Sequence, residues 1–62
     1  MNSQVIENAT KAMQCADLLL QDLQELNRTG DAMVSLLVLP EIEKVATVQA
    51  RLGAMIAALK SH

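Results

Sequence analysis

The sequence predicts an all-α fold: an antiparallel helical hairpin, helix 3–28, turn 28–31 and helix 32–60, with ends set to within a residue or two. Three observations predict it. Apolar residues recur at alternating steps of four and three along both halves of the chain. One clear break, Asn27-Arg28-Thr29-Gly30-Asp31, separates the halves. Beyond it, Ala32–Pro40 (AMVSLLVLP) carries no charge and has Ser35 as its only polar side chain. A helix exposed on one side should be apolar along one stripe only, so this stretch needs cover on more than one side.

The first helix starts with Asn2 and Ser3, both good N-cap residues for a helix beginning near Gln4. Its apolar seam reads Val5, Ala9, Ala12, Ala16, Leu19, Leu23 and Leu26, with Ile6, Met13 and Leu20 beside it. The opposite face carries Glu7, Thr10, Lys11, Gln14, Asp17, Gln21, Gln24 and Glu25, and Leu18 points outward among them. The seam is small in its first half and large in its second. A packing partner must therefore come close at one end and stand off at the other.

The break ends one helix and starts another. Arg28 suits a helix C-terminus, where the dipole favours cations. Gly30 can take the left-handed conformation that closes a helix, and Asp31 caps the next. A connection this short makes the helices antiparallel neighbours.

In the second helix Pro40 removes the N–H that would bond the Leu36 carbonyl. Pro40-Glu41-Ile42-Glu43 also reads as a helix start, with acids in its first turn. The helix is thus kinked or broken at Pro40, and the lack of a capping side chain at Leu39 favours the kink. Beyond it the seam is Ile42, Val45, Gln49, Leu52, Ile56 and Leu59, flanked by Val48 and Met55 on one side and by Ala46, Ala50 and Gly53 on the other. Folding at the turn sets Leu26 near Met33, Leu23 near Leu36 and Leu37, Leu19 near Pro40, Ala12 near Ala46 or Thr47, and Ala9 near Ala50 or Gly53. Large then meets large and small meets small, a consistency that supports the hairpin. The ends, Met1–Ser3 and Lys60–His62, are expected to be loosely held.

With 62 residues the chain is a single domain, 1–62. A domain this small buries only roughly 60% of its unfolded surface. Such scaffolds add a disulfide, a metal or a partner chain. Cys15 is the only cysteine and His62 the only histidine, so neither an internal disulfide nor a histidine-rich metal site is available. A partner chain remains. One hairpin cannot cover two apolar sides of its second helix, and pairing of hairpins into a four-helix bundle by a two-fold axis is the common solution.

Charge and composition exclude several classes. No Phe, Tyr or Trp is present, which removes the stacking platforms of single-stranded nucleic-acid binders. The net charge of −2 argues against a phosphate-tracking surface. It is unevenly spread: residues 1–31 hold two cations against five acids, and residues 32–62 three cations against two. A lipid-surface helix needs a Lys/Arg-rich polar face, and the first helix has an acidic one. No segment approaches a membrane span of ~20 apolar residues. The start, MNSQVIEN, lacks the basic residues and apolar run of a secretory signal, so a cytoplasmic protein is expected.

No residue set carries chemistry. Cys15, at the seam edge, reads as a small buried hydrophobe. Glu41 and Glu43 are two apart and point to different sides of a helix. No nucleophile is spaced to meet a base. No catalytic, cofactor or metal residue is assigned, and no enzyme is expected. The residues expected to meet a partner or a second copy are Met33, Leu36, Leu37, Leu39, Val48, Leu52, Met55, Ile56 and Leu59.

In length and helix pattern the chain resembles two kinds of small hairpin protein, without sharing a motif with either. One is the Rop type, an RNA-binding dimer of helical hairpins. The other is the small helical co-chaperones of type III secretion. The expectation is a non-enzymatic interaction protein, an adaptor, co-chaperone or assembly factor, that forms a homo-oligomer (a dimer first) or binds a helical partner. A Rop-like RNA-binding regulatory dimer is the alternative, supported by the exposed amides Asn8, Gln14, Gln21 and Gln24.

Overall fold

A computed structural model describes residues 2–61; Met1 and His62, expected to fray, lie outside them. Two helices pack side by side: α1, Asn2–Asn27, and α2, Ala32–Lys60. No strand is present among the described residues. The hairpin measures 46 × 14 × 11 Å.

The turn forms as its residues dictate. The Arg28 N–H donates to the carbonyls of Gln24 (3.2 Å) and Glu25 (3.1 Å), and the Thr29 N–H donates to that of Leu26 (3.3 Å). These bonds satisfy the last carbonyls of α1. Gly30 then takes φ +81°, the left-handed region a Cβ disfavours. Asp31 is extended, and its Oδ1 accepts from the N–H groups of Met33 (2.8 Å) and Val34 (3.3 Å), as an N-cap should. At the far end Lys60 lies in the last turn of α2 and the Ser61 N–H donates to the Ala57 carbonyl at 3.1 Å.

Two helix ends differ from expectation. α1 begins at Asn2, so Asn2 and Ser3 are helix residues rather than caps. α2 runs unbroken through Pro40, which removes the possibility of two separate helices there. The hydrogen bond that Pro40 forgoes lies on the outer side of α2, where both Pro40 and Leu36 are exposed. There the lost bond does not leave a buried carbonyl stranded.

The seam between the helices is thin. Ala9 (8% exposed), Ala16 (8%) and Val38 (6%) are its buried residues, and no large side chain is fully enclosed. On α2 the line Ile42, Val45, Gln49, Leu52, Ile56 and Leu59 is half-buried, as expected, and it extends back through Val38 to Val34 and Ser35. On α1 the line is turned from expectation. Ile6, Met13 and Leu20, expected beside the seam, are in it with Ala9, Ala16 and Leu23. Val5, Ala12, Leu19 and Leu26, expected within it, are exposed.

Small residues explain the turn of α1. Helices approach closest where side chains are short, and Ala9, Ala16 and Gly53 set that line. The Met13 methyl fills the space over Gly53, at 3.3 Å from where a Cβ would stand. Gly53 therefore faces Met13, one turn beyond the Ala9 expected opposite it. Gln49 Nε2 donates to Asp17 Oδ1 across the same pair of helices. Numbers rise on one helix as they fall on the other, which fixes the antiparallel sense.

Candidate functional site: an uncovered broad face

A helix turns about 100° per residue, so positions beside its core line fall on one flank or the other. In α1 the core positions repeat every seven residues: Ile6, Met13, Leu20 and Asn27, interleaved with Ala9, Ala16 and Leu23. The residues just before the first set, Val5, Ala12, Leu19 and Leu26, form one flank. Those just after the second set, Thr10, Asp17 and Gln24, form the other. In α2 the corresponding flanks are Glu41, Val48 and Met55, with half-buried Val34 at their turn end, and Leu39, Ala46 and Lys60, with half-buried Gly53 among them.

Two right-handed helices that run antiparallel present like flanks to the same side. Val5, Ala12, Leu19 and Leu26 therefore share a broad face with Val34, Glu41, Val48 and Met55. Farther out on that face come Asn8, Cys15 and Asp22 from α1 and Leu37, Lys44 and Arg51 from α2. The opposite broad face holds Thr10, Asp17 and Gln24 against Leu39, Ala46 and Gly53, and the Asp17–Gln49 bond lies on that side.

The first face is apolar and open. Val5, Leu19, Leu26, Val48 and Met55 are each about half exposed, and Leu37 is 67% exposed. Its central charge, Glu41, is held by Lys44 at 3.3 Å. Two other ion pairs are present among the described residues, Lys11–Glu7 at 3.6 Å and Arg28–Glu25 at 3.0 Å. All three are local to one helix or its end and exposed, so each contributes little. Arg51 has no ionic partner among the described residues.

The nine residues expected to meet a partner divide into two groups. Met33, Leu36, Leu37, Leu39, Val48 and Met55 stand exposed. Leu52, Ile56 and Leu59 are half-buried against α1. The structure adds Val5, Leu19 and Leu26 to the exposed set, which sequence reasoning had placed inside the hairpin. A signal for them existed: α1 has adjacent apolar lines at 5, 12, 19, 26 and at 6, 13, 20, and a single neighbouring helix covers only one. Leu18 points outward as expected. Cys15 corrects the expectation of burial, for its thiol is free and the residue exposed.

The described residues enclose no pocket and hold no cluster of three metal-binding side chains. Among the described residues no helix is long and apolar enough to cross a membrane. Asn27 Oδ1, at the turn end of the α1 core line, is shielded from solvent without a hydrogen-bond partner. Set against known proteins, the chain matches no family model, no curated protein and no solved structure.

Proposed function

We propose that this chain is a non-enzymatic helical interaction protein that acts as an adaptor, co-chaperone or assembly factor, by self-association or by binding a partner helix. The apolar broad face carries the reading. Monomeric proteins keep contiguous apolar patches small, and larger ones mark sites of association. Here one face runs the length of the hairpin with Leu19, Leu26, Val48 and Met55 about half exposed and Leu37 more so. A second helical layer would bury it and complete a four-helix bundle. A bend at Pro40 fits the same reading, since it would angle Met33–Leu39 toward an added helix. A lone cysteine, Cys15, suits the reducing cytoplasm in which we place the protein.

The test is the size of the native particle. The full chain, tagged and crosslinked in its source cells, should migrate above the mass of one chain. Migration at the 6.7 kDa of a single chain, both there and after purification, would overturn the reading. Rop-like RNA binding has one supporting feature, the exposed amides Gln14, Gln21 and Gln24. Asp17, Asp22 and Glu25 lie among them and repel phosphate. A gel shift with structured RNA at low salt that fades with added salt would favour it over protein association.

A further inference from the structure

We infer that the occupant of the apolar broad face is a second copy of this chain, placed by a two-fold axis parallel to the helices so that α1 of each copy lies on α2 of the other. The inference rests on the proposed association and names its partner.

Area is the first support. The chain exposes 4677 Å². A compact monomer of its mass exposes about 3,900 Å² by the usual scaling of surface with size. The excess is close to the roughly 800 Å² that each partner buries in an interface of standard size. Two copies laid face to face would remove it.

Charge is the second support, and it selects both the partner and the axis. An interface between like chains must be self-complementary. α1 carries Lys11 against Glu7, Asp17, Asp22 and Glu25, whereas α2 carries Lys44, Arg51 and Lys60 against Glu41 and Glu43. Each chain thus holds an acidic helix and a basic one. A two-fold axis along the helices sets acidic on basic twice. An axis across the helices would set α1 on α1, acid against acid, and would bring Lys44 toward its own copy.

The rim gives the specific contact. On the apolar face the outer charged residues are Asp22 on α1 and Lys44 and Arg51 on α2. With the turns at one end, Asp22 comes level with Lys44 of the second copy, on the same outer edge. The apolar lines fall into step as well: Leu26 lies toward the Val34 end and Val5 toward the Met55 end. Leu36, 71% exposed, lies on the back of α2 and outside this contact.

The experiment uses the purified full chain. Sedimentation equilibrium at micromolar concentration should give twice the mass of one chain. In a Cys15→Ser background, the double variant Asp22→Cys, Lys44→Cys should crosslink between chains on mild oxidation. Native Cys15, exposed but on diagonally opposed helices in this arrangement, should stay reduced. Asp22→Lys alone and Lys44→Asp alone should each weaken the dimer by about tenfold, and the two together should restore it. Leu19→Lys should weaken it by about 100-fold. Leu36→Lys should leave it unchanged, which separates loss of the interface from loss of the fold. A dimer joined through Cys15–Cys15 with no Asp22→Cys to Lys44→Cys crosslink would overturn the arrangement. A folded monomer at these concentrations would overturn the second copy as occupant. If the particle in cells is still larger than one chain, the broader reading survives that result and another polypeptide covers the face.

Discussion

The two broad faces of this hairpin are built by the same two helices, yet one exposes apolar side chains along its whole length and the other only near the turn, at Leu39. On the latter face Asp17 and Gln24 meet water, Thr10 is half-buried with its hydroxyl donating to the Ile6 carbonyl, Ala46 and Gly53 offer little apolar surface, Asp17 and Gln49 bond across the seam, and Leu39 near the turn is its one exposed flanking leucine. On the other, Val5, Leu19 and Leu26 of α1 share the face with Val48 and Met55 of α2, and Glu41 and Lys44 are the nearest polar cover. The difference is one of phase. A residue just before the core line and a residue just after it fall on opposite flanks, and α1 gives Val5, Leu19 and Leu26 to one flank and Thr10, Asp17 and Gln24 to the other. Whether a helix is done with packing is thus decided beside its seam, not within it.

The largest effect should come from destroying what both faces share. Val38→Asp puts an unpaired carboxylate at the most buried position of α2 and should cost about 3 kcal/mol or more, enough to unfold a domain this small. Far-ultraviolet circular dichroism should report the loss of helix. The next largest effect sets the faces against each other. Leu19→Lys on the open face should lower stability by about 2 kcal/mol where association contributes, while Gln24→Lys on the closed face should change it by less than about 0.5 kcal/mol. Equal effects in urea titrations would erase the distinction drawn between the faces.

A smaller, stabilising effect is expected at Asn27, where the core line of α1 ends in an amide oxygen without a partner. Asn27→Leu should raise stability by about 1 kcal/mol in the same titration, because a shielded unsatisfied acceptor is removed and apolar contact replaces it. The smallest concerns the closed face. Gly53→Ala gains helix propensity but presses on the Met13 methyl at 3.3 Å. That methyl is the free end of a flexible side chain and can yield, so a net gain of about 0.5 kcal/mol is expected. A lower melting temperature would mean that the seam there does not yield.

Much of the hairpin was legible in the sequence because its signals are local. Gly30 and Asp31 dictate a left-handed residue followed by a cap, whatever packs above them, and both are found in those roles. The α2 core line was legible too, since Ile42, Val45, Leu52 and Ile56 have small or charged neighbours on either side over much of its length. The α1 line was not. Its apolar arc is wide enough for two lines one residue apart, and periodicity cannot choose between them. The choice is made by a tertiary fact, the fit of Met13 over Gly53 with Ala9 and Ala16 buried beside it. Cys15, Leu19 and Leu26 are placed otherwise than the periodicity suggests for that single reason. Pro40 was ambiguous for another: proline can start a helix or sit within one when its missing bond faces outward, and only the position of the neighbouring helix says which way is out.

A lone hairpin leaves one broad face open, and we propose that a second copy of the chain covers it. The mass of the purified chain by sedimentation equilibrium, taken across the micromolar range together with its thermal midpoint, tests this most directly. The expected result is a particle of two chains whose midpoint rises with concentration. A particle of one chain, fully helical and with a midpoint independent of concentration, would contradict it.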